Sequence, residues 1–387
     1  MKENIGVISM GIKAPIIKEG DNIVDIVTTS VLEATKNGSK LIQPSPNVKS
    51  LAKSLVVSPY YDYDINHKDV VGITESVVAR AQGNYVTVDE IAEDIKKKFN
   101  NPDVIIVDSP IYSRNRFSMI LKAIARAAKY EVKIIMPEFD EVGNPRGRNP
   151  FTGVNIAEYY REICNNEGKK FETIYPYSNY SVSRGSKIGY LYCGLHDYKE
   201  WLKEHKTLSL DQTELTLADI CNDKCEWGLL GSNKATEEKV KLFPNKIKAQ
   251  KFVEEVQQKI AEKTGKLVYV CVYGDGCFKD AVGGIWEFAD PVSMPAYTNK
   301  EIFESTPNEL KIKYLADNKY GNLKGEELDK AIAKEIEEHK GKDLKGSMTS
   351  EGTTPRLYRD LLASLMDLTS GSGMRATPIV LIKNYFD

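Results

Sequence analysis

Asp275 stands between two glycines, Gly274 and Gly276, at the end of the apolar and β-branched run 267–272. A run that short and that rich in β-formers reads as a buried strand. A carboxylate between glycines at a strand end could hold a divalent cation while a phosphate approaches closely; the ordinary alternative is a residue that caps a tight turn. A second charged junction is Ser109-Pro110-Ile111-Tyr112-Ser113-Arg114-Asn115-Arg116, where Arg114 and Arg116 lie between a strand and a helix. Guanidinium forks and a helix start suit an anionic ligand there, against the alternative of two solvated arginines. The loop 370–376, with Gly371, Gly373 and Arg375, is the nearest thing to a phosphate cradle, against a plain C-cap loop. Cys193 and His196, with Cys221 and Cys225, could clamp zinc from two sides, although their order and wide gap fit core thiols better. Cys277 beside the glycine turn has no sequence tie to a histidine that could activate it. No G-x-x-x-x-G-K-[ST] occurs and no G-x-G-x-x-G follows a strand, which sets aside an ordinary P-loop enzyme and a dinucleotide Rossmann domain.

The elements that must position these groups follow from periodicity and caps. Residues 4–10 read as a strand, followed by an extended segment through Ala14-Pro15-Ile16-Ile17 and a Gly20-Asp21 turn. Asp21 is expected to cap a helix with Ile23, Ile26, Val27, Val31 and Leu32 on one face and Gly38 as its stop. Residues 69–74 form a strand that runs into Glu75, and Thr87 with Glu90 makes a capping box for a helix reaching about Phe99. A β-α-β unit is expected from the strand 103–108, the helix 114–130 and the strand 132–136, with a further helix at 154–167. A long helix covers 246–263, ended by Gly265, and feeds the strand before Asp275. Residues 300–350 are rich in Lys and Glu, with one helix at 326–339, and read as a peripheral excursion. The last unit is a helix at 355–368, the glycine loop and a strand at 377–382.

Composition bounds the partners. Fifty-three Lys+Arg against 55 Asp+Glu give a net charge of -2, with no basic field of the size a nucleic acid needs. The N-terminus shows no signal-peptide pattern and no window has the ~18 apolar residues of a membrane span. Six cysteines scattered over 387 residues do not form a disulfide framework. The expectation is a soluble cytoplasmic protein that handles small molecules, with no nucleic-acid or membrane partner.

Five segments, in chain order, together resemble the GTP-dependent coenzyme F(420)-0:L-glutamate ligases, the gamma-glutamyl ligases. GIKAPIIKEGDN (11–22) resembles the family's N-terminal nucleotide-site segment. DVVGITESVVARAQGN (69–84) is similar to its strand and helix, with Thr74, Glu75 and Arg80 at the nucleotide-contacting positions. GLLGSNKATEEKVKLFPNK (228–246) resembles the AGVDxSN segment, keeping Ser232 and Asn233 but carrying Leu230 near the first metal Asp. The stretch 264–290 looks like the strand ending in the metal-binding Asp, and 361–384 like the closing helix, glycine loop and strand. The segments cover about half the chain. Where the family has Asp-Thr, this chain has Asp275-Gly276, and its arginine-rich turn is shortened to Cys277-Phe278-Lys279-Asp280.

The resemblance implies a mixed α/β fold. Its composite core would comprise residues 1–99, 206–299 and 351–387, with an α/β insertion at 100–205, a charged helical excursion at 300–350 and an intertwined homodimer. It implies GTP-driven joining of L-glutamate to the carboxylate of a small acceptor through an acyl phosphate. Asp275 would hold Mg2+ or Mn2+, with Glu287 as second carboxylate and Glu226, Asp280 and Asp290 as alternatives. Lys279 and Arg80 would stabilise the transferring phosphoryl group. Ala14, Pro15, Ile16, Ile17, Thr74, Glu75, Ser232, Asn233 and the loop of Gly371, Gly373 and Arg375 would hold the nucleotide. Arg114 and Arg116 lie in the insertion, which has no clear counterpart in the family, and are expected from their own chemistry to meet the acidic acceptor or the glutamate. Leu230 and Gly276 support another class of function, a non-catalytic nucleotide- or metabolite-binding paralogue. A third reading makes the middle block a module that senses a phosphorylated metabolite.

Overall fold

The computed structural model describes residues 6–36, 64–108, 116–136, 153, 155–175, 182, 185–193, 213–274, 278–279, 286–287, 294–306, 310–339, 357–370 and 376–386. The chain divides into two units, Met1–Thr298 with Leu365–Asp387, and Asn299–Ser364. In the first unit the elements open with β1 (Ile8–Ile12), α1 (Ile23–Lys36), β2 (Val70–Thr74), α2 (Glu75–Gln82), β3 (Tyr85–Thr87) and α3 (Val88–Lys98). They continue with β4 (Val104–Asp108), α4 (Phe117–Ala127), β5 (Glu131–Ile135), α5 (Ile156–Asn166), β6 (Lys170–Ile174), β7 (Ile188–Tyr192) and β8 (Thr213–Thr216). After β9 (Asn233–Lys234), β10 (Lys239–Lys241) and α6 (Lys246–Thr264) come β11 (Tyr269–Tyr273), β12 (Phe278–Lys279), β13 (Trp286–Glu287) and β14 (Ala296–Tyr297). The second unit holds α7 (Lys300–Phe303), α8 (Ile312–Tyr314) and α9 (Glu326–His339); α10 (Tyr358–Thr369) runs from it back into the first unit, which closes with β15 (Ile379–Lys383). The fold is mixed α/β.

The first sheet has the order β1-β15-β2-β11-β14. Only β2 and β11 are parallel; β1, β15 and β14 each pair antiparallel with their neighbours. The inner strands are apolar on both faces because both faces are covered. On one face Val71, Ile73, Val270, Val272 and Leu381 pack with Val27 and Val31 of α1 and Phe252 and Val256 of α6. On the other, Met366 of α10 lies over Gly72, where an added Cβ would come within 2.2 Å of its sulfur. A buried ion pair, Lys383 to Asp69 at 2.8 Å, ties the end of β15 to the start of β2.

The second sheet, β6-β5-β4-β7-β8, is parallel throughout. One of its faces buries Ile105, Val107, Val132, Ile134 and Leu191 in a core with Ile91 and Ile95 of α3, Leu121 and Ile124 of α4 and Tyr160 of α5. Thus α3 packs on α4, and its apolar face serves this second core. The strands β6, β7 and β8 extend the β-α-β unit beyond what the sequence pattern shows. A small sheet, β3-β10-β9, carries residues 233–241.

Caps follow the sequence with one correction. Thr87 and Glu90 form the expected capping box, Glu90 N–H donating to the Thr87 hydroxyl at 3.1 Å and Thr87 N–H to the Glu90 carboxylate at 2.8 Å. Gly265 ends α6 in the left-handed region at φ 69°. The cap of α1 is Asn22, which accepts from Asp25 N–H at 3.2 Å, rather than Asp21. Asp21 is committed backwards, accepting from Lys18 N–H at 2.7 Å to close the preceding turn. The expected stop of α1, Gly38, lies outside the described residues. No helix among the described residues is long and apolar enough to cross a membrane.

Candidate functional site

Four chain segments far apart in sequence meet at one edge of the first sheet. The parallel strands β2 and β11 end side by side there, with Thr74 in register with Tyr273. The antiparallel strand β15 begins at the same edge, Ile379 opposite Ile73, and β1 ends there, Ile12 opposite Ile379. Backbone hydrogen bonds close the junctions. Thr74 N–H donates to Pro378 O at 3.0 Å, and Ala14 N–H to Ala376 O at 3.2 Å. Ala14 and Thr74 are therefore both tied to the residues that follow the glycine loop. Gly274, the last described residue before Asp275, continues β11 out of this edge.

Glu75 opens α2 at that edge and is buried, at 2 % exposure. Its carboxylate accepts from the Lys241 ammonium at 2.6 Å. Lys241 lies in β10, in register with Asn233 of β9 on one side and Tyr85 of β3 on the other. The 233–241 hairpin is thus joined to the end of β2 through one buried ion pair. Ser232 is buried, its N–H donating to Leu229 O at 3.1 Å, while the Asn233 side chain accepts from Lys234 N–H at 2.8 Å. Gly231 precedes them at φ 66°, where a Cβ would come within 2.1 Å of the Phe243 ring. Lys241 was not among the expected site residues; its only signal is the KVK triplet ahead of Leu242, and its partner is 166 positions away in sequence.

The other expected residues are placed as follows. Pro15 and Ile16 are exposed, Ile16 at 81 %, whereas Ile17 is buried in the first core and presents no side chain to a ligand. Arg80 is exposed in the last turn of α2, about 7.5 Å along the helix axis from Glu75 at 1.5 Å per residue. Lys279 and Glu287 belong to the hairpin of β12 and β13, Lys279 opposite Trp286 and Glu287 opposite Phe278. Asp275, Gly371, Gly373, Arg375 and Arg114 lie outside the described residues, as do Asp280 and Asp290. Arg116 is buried at the start of α4, at the edge of the second sheet rather than the first.

Two metal alternatives can be judged on their own atoms. Glu226 is committed to the start of α6, accepting from Asn245 Nδ2 at 2.8 Å and from Lys246 N–H at 3.1 Å. Cys193, Cys221 and Cys225 all sit in the apolar second core. Burial pushes the Cys221 thiol up to about 12 and the Cys225 thiol up to about 11, and Cys225 Sγ donates to Phe243 O at 3.4 Å. These are neutral core thiols; His196 lies outside the described residues. Among the described residues no three His, Cys, Asp or Glu side chains converge as a metal-binding group.

The mixed sheet that gathers strand ends and a buried helix-start carboxylate at one edge defines the class as mixed α/β. The chain belongs to the F420-0:gamma-glutamyl ligase family, whose model matches residues 11–384. No curated protein matches the chain. The family is one of ligases that join glutamate to a small acceptor with a nucleotide cosubstrate, and its match spans both sheets as well as the second unit.

Proposed function

We propose that the chain is a GTP-dependent gamma-glutamyl ligase acting on the carboxylate of a small acceptor. The observation that carries this is the meeting of residues 14, 74–75, 274 and 376–378 at one sheet edge. Ala14 to Ile17, Thr74, Glu75, Ser232, Asn233 and the 371–375 loop would surround the nucleotide, Ile17 contributing backbone alone. Asp275, with Glu287, would hold Mg2+ or Mn2+, whose charge offsets that of the phosphates. Lys279 and Arg80 would meet the transferring phosphoryl oxygens. In the reaction the acceptor carboxylate oxygen attacks the γ-phosphorus and GDP leaves. The glutamate amine then attacks the acyl carbon, inorganic phosphate leaves, and the amine gives up a proton. Such chemistry asks mainly for positioning and charge neutralisation. We further propose a homodimer and a cytoplasmic setting.

Leu230 in place of a metal carboxylate, and Glu226 spent on the start of α6, favour a second reading, a nucleotide-binding paralogue without turnover. Thermal melting with GTP, ATP or neither, each with and without Mn2+, separates the two, because binding to the folded state raises the melting point by mass action. The ligase reading expects a GTP shift that needs the metal and disappears in Asp275→Ala. A shift independent of metal, with no phosphate release, selects the second reading.

A further inference from the structure

Two buried lysines answer two acids at opposite ends of β2. Asp69 stands just before the strand and pairs with Lys383 of β15 at 2.8 Å; Glu75 stands just after it and pairs with Lys241 of β10 at 2.6 Å. The two pairs differ in what they join. β15 is already bonded to β2 along Val70 to Ile73, so Lys383 and Asp69 sit on strands that the ladder holds together. β10 belongs to the separate sheet β3-β10-β9, and among the described residues no strand of that sheet pairs with the first sheet. Leu242 N–H donates to Asn84 O at 2.9 Å and Val88 N–H to Glu238 O at 3.0 Å, which anchors the 233–241 hairpin beyond the far end of α2. The Glu75 pair reaches from the hairpin to the start of α2, at the edge of the candidate site.

The same lysine stands beside an expected site residue. Val240 and Leu242 are buried in the second core, so the alternation of a strand turns Lys241 to the opposite face. Asn233 is its register partner on β9, and side chains directly opposite in an antiparallel pair share a face. One ammonium therefore lies on the Asn233 side of the small sheet and bonds a carboxylate that adjoins Thr74, the last residue of β2. Stability alone is a weak reason for such a pair, because apolar residues of similar volume often serve as well. A carboxylate with nothing to cancel it at this junction would also oppose a polyphosphate. We propose that Lys241 is a positioning residue for the nucleotide: through Glu75 it fixes Asn233 relative to Thr74, and it cancels a charge that would repel the phosphates. That a nucleotide binds here rests on the ligase reading above; the pair and its placement do not.

The test is isothermal titration of the full chain with GTP in the presence of Mn2+, on the wild type and three variants that unfold cooperatively in urea. Lys241→Met should weaken GTP by about tenfold or more, whereas Lys241→Arg, which keeps the charge, should stay within about threefold of the wild type. Lys383→Met breaks the other buried pair of β2 and is the control for a loss that is merely structural; it should leave GTP affinity unchanged. If Lys241→Met does not fold, Lys241→Gln takes its place, with a donor kept and the charge removed, and should weaken GTP in the same way. Wild-type affinity in the Lys241 variant overturns the proposal and spares the ligase reading. An equal loss in Lys383→Met also overturns it, since the effect would then be a general one. A wild-type chain that binds no GTP overturns the ligase reading and the role of Lys241 with it. GTP binding that follows the expected order of variants, but without phosphate release, upholds the role of Lys241 and counts against turnover.

Discussion

A carboxylate as deeply buried as Glu75 needs a partner, because an uncompensated charge in the interior is costly. Lys241 supplies it at 2.6 Å, and both ends of the pair are anchored by backbone, one at the start of α2 and the other in the middle of the small sheet. Replacing Lys241 with Met keeps the volume and takes the ammonium away from the buried charge. Lys241→Met should destabilise the chain by about 3–5 kcal/mol in denaturant titration, and the double change with Glu75→Met should recover most of that. Additive losses would show that the two side chains are not coupled. Gly231 makes a second residue-level case. At φ 66° with the Phe243 ring behind it, Gly231→Ala should cost about 1–3 kcal/mol by the same measurement, and Phe243→Leu should relieve part of it. That Thr74 and Glu75 stand at a strand-to-helix junction was legible in the sequence, whereas their selection as nucleotide-site residues came from the family resemblance alone. Lys241 was not legible, because its role depends on a register with Asn233 and on a contact that local pattern does not encode.

At the scale of elements, what the chain announces locally is what the sequence made visible. The box of Thr87 and Glu90 needs only residues three apart, and α3 forms behind it. Its removal is a clean test: Thr87→Ala should cost about 1 kcal/mol, read as an earlier midpoint in urea with an unchanged slope. Helices α6 and α9 were legible through their periodicity, and α6 also through a glycine stop. The strands β6, β7 and β8 were not. They are five residues or fewer, β6 and β8 are edge strands, and Lys170-Phe171-Glu172-Thr173-Ile174 carries too little apolar weight to stand out from a loop. Hence the β-α-β unit was read but not the strand order of the second sheet, which emerges only when all five strands are present. The same locality explains the misplaced cap of α1. Asp21 and Asn22 are equally good caps by type, and only the backward bond to Lys18 N–H assigns Asp21 to the turn.

At the scale of the whole molecule, the second core is stitched by surface charge as well as by apolar packing. Arg126 of α4 bonds Glu167 after α5, Asp89 of α3 and Glu238 before β10, while Lys122 reaches Glu238 and Lys224 reaches Glu90. Arg126 and then Lys122 draw the Glu238 carboxylate down to about 2, and Lys224 with the Thr87 N–H does the same for Glu90. Both carboxylates bind protons more weakly folded than unfolded, where the ordinary value is 4.5. Their contribution is therefore complete above pH 4.5 and is lost as pH falls from there towards 2. Each carboxylate is largely solvent-facing, so screening keeps each share below about 1 kcal/mol, and salt should reduce it further. Unfolding free energy, measured by urea titration across this range, should fall with pH, and Glu238→Gln should flatten part of the slope. Hydrogen exchange should find the amides of α3 and α4 losing protection in the same window, since each helix carries one end of a pair that is being neutralised, Glu90 on α3 and Lys122 and Arg126 on α4. A slope unchanged by both Glu238→Gln and added salt would mean that apolar packing alone holds α3, α4 and the 237–239 turn together, and that the charge network is decoration on a core that does not need it.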